Sequence, residues 1–204
     1  MKLYFAPRTR ATRARWLLEE LGVPYDLVKL DLARQENTAP AYLSVNPLGE
    51  VPVLVDGDVT LLGALAICLH LADLFPEKGL APRMASAERG LYYQWMAFAE
   101  VSLEPVVMEF HGHAQLPEER KAAARSNDDL AKLGTRLATL LDVIDEGLGG
   151  REFLVGHAFT AADVLMASIL HLANTLTLLD GHPRLVEYVR SHTRRPAVRT
   201  AVSG

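Results

Sequence analysis

The sequence carries few side chains suited to redox or metal chemistry. Cys68 is its only cysteine, which excludes an intramolecular disulfide and a C-x-x-C redox pair. Because Cys68 also falls inside a predicted apolar helix, we expect no catalytic cysteine. The spacing of His111 and His113 would let both contact a metal, but no third ligand is evident, so we expect no metal site.

Hydroxyl groups lie in the segment 7–12, between a predicted strand and a predicted helix. Thr9 is placed just ahead of the helix, and Arg10 and Thr12 follow it. A threonine hydroxyl at this place can cap the helix by accepting a hydrogen bond from a first-turn N–H. It can instead donate to an anion, since a helix N-terminus favours negative charge. The residues alone leave both interpretations open.

Four arginines make this segment and the following helix locally basic. Arg8 and Arg10 belong to the loop, where positive charge favours an anionic ligand. Arg13 and Arg15 fall within the helix, and we predict that they lie on its solvated face.

The segment belongs to a predicted strand–helix–strand unit. Residues 2–6 favour a strand, and residues 11–21 place apolar side chains at helical spacing. Gly22 and Pro24 end that helix, and residues 25–30 form the next strand. The unit has the length that a parallel crossover requires.

A hairpin and a second long helix follow. Asp-Gly at 56–57 separates two apolar runs within 53–62, which is a strong hairpin signal. Residues 63–74 then show a helical pattern that Pro76 stops. With a short helix at 39–45, the predicted order is βαβαββα.

Strand signals disappear beyond this point, which predicts a domain boundary. A linker at 77–86 separates a first domain, 1–77, from an all-helical second domain, 86–204. Helical patterns in the second domain cover 86–114, 118–147, 160–179 and 183–193, with a short one at 196–202.

One helix of the second domain begins with a recognisable cap. Thr160 is predicted as its N-cap and Asp163, three residues later, completes a capping box. We interpret this pair as a folding device without a role in function.

Composition excludes several classes of protein. The formal net charge of −4 provides no basic field for nucleic acid. No apolar run reaches the roughly 18 residues that span a bilayer, so no membrane association is expected. The N-terminus lacks the hydrophobic region of a secretory signal, and we expect a cytoplasmic protein.

Four stretches resemble the glutathione transferase family in their order and spacing. They are WLLEELGVPYDLV at 16–28, NPLGEVPVLVDGD at 46–58, ALAICLHLADLFP at 64–76 and FTAADV at 159–164. The likeness covers essentially the whole chain and looks closest to bacterial members. It implies an α/β plus all-α protein: an N-terminal thioredoxin-like domain (βαβαββα) that binds glutathione, then an all-helical glutathione-transferase domain.

The resemblance implies a chemistry as well. Members of the family add glutathione, a co-substrate, to small hydrophobic electrophiles, or reduce such molecules with it. They lower the pKa of the glutathione thiol, which ordinarily lies near about 8.5. Thr9 falls where related bacterial proteins often carry serine, so it is the expected catalytic donor, with Thr12 and Arg10 as the next candidates. Arg10 is also an expected glutathione contact.

Further glutathione contacts are implied at Glu50, Val51 and Pro52, and at Gly63 and Ala64. The resemblance implies a cis Val51–Pro52 bond that leaves the Val51 main chain to pair with an extended peptide; a simple strand-entry proline is the alternative. Gly63 and Ala64 align where relatives carry an acid and a serine that hold the γ-glutamyl unit. Their absence predicts binding weaker by about a hundredfold.

The second domain is expected to supply the electrophile pocket. Its candidate residues are Tyr92, Trp95, Phe98, Met108 and His111. A stripe of methionine and aromatic side chains is also typical of a helix core, and this alternative stays open.

Two hypotheses for function follow from these residues. The first is a glutathione transferase-like enzyme acting as a homodimer through apolar helices near 64–75 and 87–99. The second is a non-catalytic member of the fold, a ligand-binding or protein-interaction module whose glutathione site has degraded at Gly63 and Ala64.

Overall fold

A four-stranded sheet forms from short runs that are rich in valine, leucine and aromatic side chains. Its strands are Lys2–Phe5 (β1), Asp26–Lys29 (β2), Val53–Asp56 (β3) and Val59–Leu62 (β4). Their order is β2-β1-β3-β4, with β1 parallel to β2 and antiparallel to β3, and β3 antiparallel to β4. The predicted hairpin at 56–57 is confirmed, and Gly57 supplies its positive φ of 58°.

Three helices accompany the sheet: Ala11–Leu21 (α1), Pro40–Leu43 (α2) and Ala64–Leu74 (α3). Helix α1 ends at Gly22, where φ is 65° and the N–H returns to the carbonyl of Leu18. The predicted order βαβαββα and the α/β plus all-α fold class are confirmed.

The computed structural model describes residues 1–203, except for the side chain of Ala122. These residues divide into two compact units. One contains Met1–Ala81 together with the residues from Arg194 onward, and the other contains Pro82–Thr193. The first unit therefore ends with helix Pro196–Val202 (α10), which packs against α1.

The second unit contains helices and no strands among its residues, 82–193. The helices are Ala87–Ala97 (α4), Glu104–Ala114 (α5), Glu118–Ala124 (α6), Asn127–Leu148 (α7), Ala161–Thr175 (α8) and Pro183–Thr193 (α9). The predicted Thr160–Asp163 capping box is confirmed at the start of α8. Along residues 1–203, no helix combines the length and apolarity that crossing a membrane requires.

Two predicted helices of the second unit are interrupted. A π-helical turn, Phe98–Leu103, separates α4 from α5, since Pro105 has no N–H to continue the α-helical ladder. The predicted helix 118–147 breaks at Arg125 and Ser126, both extended, because Ser126 caps a new helix with Asp129.

Candidate functional site

The sheet register brings three candidate segments to one end of the sheet. Tyr4 of β1 is opposite Val53 of β3, and Val53 is opposite Leu62 of β4. Three segments therefore lie at the same end of the sheet: the loop that follows β1, the residues just before β3 and the residues just after β4. These segments contain Thr9, Val51–Pro52 and Gly63–Ala64.

Thr9 occupies the loop between β1 and α1, half-buried. Its Oγ1 donates to the carbonyl of Ala6 at 2.7 Å and accepts from the N–H of Ala11 at 3.1 Å. The hydroxyl thus caps the first residue of α1, as one of the two interpretations expects. Its proton is directed at a main-chain oxygen, and a donor role toward a ligand stays a prediction.

The burial of the four arginines in this region differs in part from the prediction. Arg8 and Arg10 are exposed, and Arg8 has a φ of 60° in the left-handed region. The prediction that Arg13 and Arg15 lie on a solvated face is wrong, because only 5% and 7% of their surfaces are exposed. The buried guanidinium of Arg15 stacks on the ring of Phe5, with 5.0 Å to its centroid.

The peptide bond between Val51 and Pro52 is cis. Pro52 is buried, whereas Val51 is half-buried at the end of the sheet. Regular strand pairing begins only at Val53. Among residues 1–203, none donates to or accepts from the main chain of Val51, so its N–H and C=O remain available to a peptide.

Three polar side chains hold the segment ahead of Val51, and two of them, Tyr42 and Asn46, are buried. The hydroxyl of Tyr42 and Nδ2 of Asn46 both donate to the carbonyl of Glu50, at 2.5 and 2.8 Å. Nδ2 of Asn37 donates to the carbonyl of Gly49 at 2.8 Å. The side chain of Glu50 itself is exposed.

Sequence reasoning assigned no role to these three supporting residues. The only available signal was Asn46 at the head of the quoted stretch NPLGEVPVLVDGD. Burial of Tyr42 raises the pKa of its phenol, so the hydroxyl stays a donor to Glu50. These hydrogen bonds form only when the chain folds and brings the donors to the carbonyls, so composition and spacing did not predict them.

The start of α3 is tied directly to Pro52. The N–H of Gly63 donates to the carbonyl of Pro52 at 3.2 Å. Gly63 is exposed and has a φ of 83°, a conformation that strains any L side chain, while Ala64 is buried. Helix α3 has no side-chain cap and no acidic residue in its first turn, so its first N–H groups present a positive dipole end.

The candidate electrophile contacts lie in the second unit and differ in burial. Tyr92 and Trp95 are buried, with exposures of 0% and 4%. Trp95 meets Phe98 edge-on at 5.5 Å and packs so tightly on Gly147 that an added Cβ would lie 2.3 Å from the indole. These two aromatic side chains belong to the core of the unit.

The other three candidates reach the surface of the second unit. Met108 is 36% exposed, and Phe98 and His111 are half-buried. Nδ1 of His111 is buried without a hydrogen-bond partner among the described residues. Within the same residues, no group of three or more His, Cys, Asp or Glu side chains is arranged to hold a metal ion.

Two family models match the chain. The model described as Glutathione S-transferase, N-terminal domain, matches residues 1–73, and the corresponding C-terminal domain model matches residues 95–196. Glutathione S-transferase 3 of Schizosaccharomyces pombe is 32% identical, over 98% of this chain and 85% of the relative. Glutathione S-transferase GstA of Escherichia coli is 28% identical, over 100% of this chain and 98% of the relative.

Solved structures give the same result. A sphingomonad glutathione S-transferase complexed with glutathione is 29% identical and superposes with a TM-score of 0.81, covering 99% of this chain and 97% of its own. The bacterial enzyme BphK, solved as a ternary complex, is also 29% identical, with a TM-score of 0.83 and coverages of 99% and 98%. Together with the matched domains, these relatives establish that the chain belongs to the glutathione S-transferase family.

Proposed function

We propose that the protein adds glutathione to small hydrophobic electrophiles. The observation that carries the proposal is the unpaired main chain of Val51, which lies at the same end of the sheet as Thr9 and the start of α3. A cysteinyl peptide laid along Val51 as an added strand would receive both of its main-chain hydrogen bonds there.

The two ends of glutathione would meet different environments. The γ-glutamyl carboxylate fits the first N–H groups of α3, next to Gly63 and Ala64. Neither residue offers a side chain to hold the α-amino group, and the carboxylate of Glu50 does not favour an anionic ligand. Binding therefore rests on main-chain groups, and we expect a dissociation constant of about 1 mM rather than micromolar.

Thr9 would stabilise the thiolate. Its hydroxyl hydrogen can turn from the Ala6 carbonyl toward the sulfur while Oγ1 keeps the N–H of Ala11, so only a proton needs to move. Lowering the thiol pKa by two units requires about 2.7 kcal/mol of preference for the anion. The hydroxyl and the N-terminus of α1 together can supply that amount.

The reaction follows from the bound thiolate. The thiol releases its proton to solvent, and the sulfur lone pair forms a bond to an electrophilic carbon. The displaced electron pair leaves with a leaving group, or takes up a proton when the electrophile is an unsaturated carbonyl compound. Phe98, Met108 and His111, which reach the surface of the second unit, remain our candidates for contact with the electrophile.

We further propose a cytoplasmic homodimer. Large apolar side chains are exposed in the helices expected at its interface and beside them, namely Leu62, Leu74, Leu91 and Tyr93. Sedimentation of the purified protein at micromolar concentration tests the oligomeric state, and a monomer would contradict this part of the proposal.

Calorimetric titration with glutathione, combined with turnover of a chromogenic aryl halide, tests the activity. We expect saturable binding and a rate that depends on glutathione. A glutathione analogue with a methyl group in place of the thiol is the matched control, which should bind without reacting. No heat of binding up to about 10 mM glutathione would overturn the proposal. Binding without turnover would favour the non-catalytic alternative.

A further inference from the structure

Arg15 occupies an unusual position for a charged residue of a helix. It lies in α1 with 7% of its surface exposed, and its guanidinium stacks over the ring of Phe5. Its Nη1 donates to the carbonyls of Ala201 and Ser203, at 3.3 and 2.5 Å. The side chain therefore joins three segments of the first unit: the end of β1, helix α1 and the C-terminal segment.

The contact with Phe5 leads directly to Thr9. Phe5 is fully buried and is the last residue of β1, immediately before Ala6. The hydroxyl of Thr9 donates to the carbonyl of Ala6, and its Oγ1 accepts a hydrogen bond from the N–H of Ala11 in α1. Thr9 is thus held between the end of β1 and the start of α1, the two elements that Arg15 joins.

A second connection ties the C-terminal segment to α1 through Glu20. Nε and Nη2 of Arg195 donate to the two carboxylate oxygens of Glu20, at 2.6 and 2.8 Å. Trp16 donates its indole N–H to the same carboxylate at 2.9 Å. Glu20 lies near the end of α1, more than two turns away from Thr9 in the sequence.

We propose that Arg15 is a positioning residue that sets the hydroxyl of Thr9 against the bound thiol. The proposal rests on the proposed function of Thr9. A planar guanidinium can stack on an aromatic ring and donate to two carbonyls at once, whereas an ammonium provides the charge without that geometry. The C-terminal segment acts through Arg15, since it supplies the two carbonyl acceptors.

The experiment measures the pKa of glutathione bound to the protein, from its thiolate absorbance in the ultraviolet. The variants are Arg15→Lys, which keeps the charge, and Thr9→Val, which removes the hydroxyl. The matched control is Arg195→Gln, which removes the ion pair with Glu20 but not the Ala201 and Ser203 carbonyls that accept from Arg15. Melting temperatures of all variants are recorded alongside.

We expect Arg15→Lys to raise the bound thiol pKa in the same direction as Thr9→Val. A rise of about half a unit would lower kcat/KM below neutral pH by about threefold. The KM for the electrophile should not change. Arg195→Gln should lower the melting temperature and leave the thiol pKa unchanged.

Three results would overturn the inference. One is a thiol pKa that Arg15→Lys leaves unchanged while Thr9→Val raises it, which leaves the proposed function standing. Another is equal shifts in Arg15→Lys and Arg195→Gln, which indicate a general loosening. The third is no shift in Thr9→Val, which removes the donor role itself and with it the premise.

The variant Phe5→Leu tests the same inference without requiring that an Arg15 variant folds. It removes the ring beneath the guanidinium and leaves an apolar side chain in the core. We expect it to raise the thiol pKa, and the double variant with Arg15→Lys to show no further rise. Fully additive shifts would contradict the proposed contact between the two residues.

Discussion

Polar groups at the start of α8 have hydrogen-bond partners within the protein, whereas those of the main chain at Val51, at the end of the sheet, have none within residues 1–203. The buried carboxylate of Asp163 accepts from the N–H groups of Leu154 and Thr160, both at 2.9 Å. It also accepts from the hydroxyls of Thr160 and Tyr188, at 3.1 and 2.8 Å. The main chain of Val51, at the surface of this end of the sheet, meets no partner within residues 1–203.

This difference separates a residue that stabilises the fold from a candidate binding site. A buried polar group nearly always has a hydrogen-bond partner within the protein, and the carboxylate of Asp163 accepts four such bonds. A half-exposed main-chain pair that neighbouring side chains hold in place is satisfied by solvent until a ligand replaces it. One of these motifs thus stabilises the fold, and the other presents the main chain along which we propose that a peptide binds.

Asp163→Asn should produce the largest effect on stability. The amide keeps the shape but replaces one acceptor with a donor that faces other donors, so we expect a loss of about 3 kcal/mol or more in the free energy of unfolding. Urea denaturation measures it. Asp129→Asn is the matched control, since Asp129 completes an exposed capping box at the start of α7 and its loss should move the midpoint little. Equal effects at both boxes would contradict the importance of burial.

Tyr188→Phe should have the next largest effect and should depend on pH. It removes one hydrogen bond to Asp163, which costs about 1.5–3 kcal/mol for a charged acceptor. Burial, followed by the nearby Asp163 charge, raises the pKa of Tyr188 well above its usual value. The folded protein therefore holds this proton after the unfolded chain has lost it.

The pH range follows from that raised pKa. The contribution of Tyr188 is fully present below about pH 10, the ordinary tyrosine pKa, and is lost as the pH rises toward the raised value. Tyr188→Phe should remove this alkaline loss. Denaturation of both proteins between pH 8 and pH 11 (a range set by about one to two units around that value) measures the difference, and parallel curves would contradict it.

Thr9→Val should act mainly on catalysis. Loss of a hydroxyl donor that shifts the thiol pKa by about one unit lowers kcat/KM by about threefold near neutral pH and by about tenfold well below the bound thiol pKa. Loss of the cap on Ala11 should cost about 1 kcal/mol in stability. Steady-state kinetics and thermal melting separate the two effects. If Thr12→Val reduces the rate and Thr9→Val does not, the donor is Thr12.

The amide of Val51 should show the smallest but most direct effect. Its hydrogen exchange should slow by about tenfold when glutathione is present at ten times its dissociation constant, because the bound fraction is then protected. The amide of Leu154, which already donates to Asp163, serves as the internal control and should exchange slowly with or without ligand. Unchanged exchange at Val51 would place the peptide elsewhere.

Local patterns predicted the frame of the molecule well. The helical spacing of 11–21, the Asp-Gly turn at 56–57 and the Thr160–Asp163 box each depend on neighbours within four residues. The β-strands and helices they predict are present. The cis bond at Pro52 came from resemblance and is present as well.

Contacts between distant residues limited the prediction of the site. Arg15 was predicted to lie on the solvated face of α1, because no local pattern indicates that residues 201 and 203 return to cover it. The carbonyl of Glu50 is held by Tyr42 and Asn46 through folding of the intervening loop, which spacing does not encode. Burial and partners of polar groups therefore had to be read from the structure.

The position of α10 has a consequence for synthesis of the protein. Ribosomes deliver the chain from its N-terminus, and domains generally fold as they emerge. Here the residues of the second unit, 82–193, are synthesised before α10, whereas α1 is covered only after α10 has followed them. Of the two units, the one that is begun first is therefore completed later.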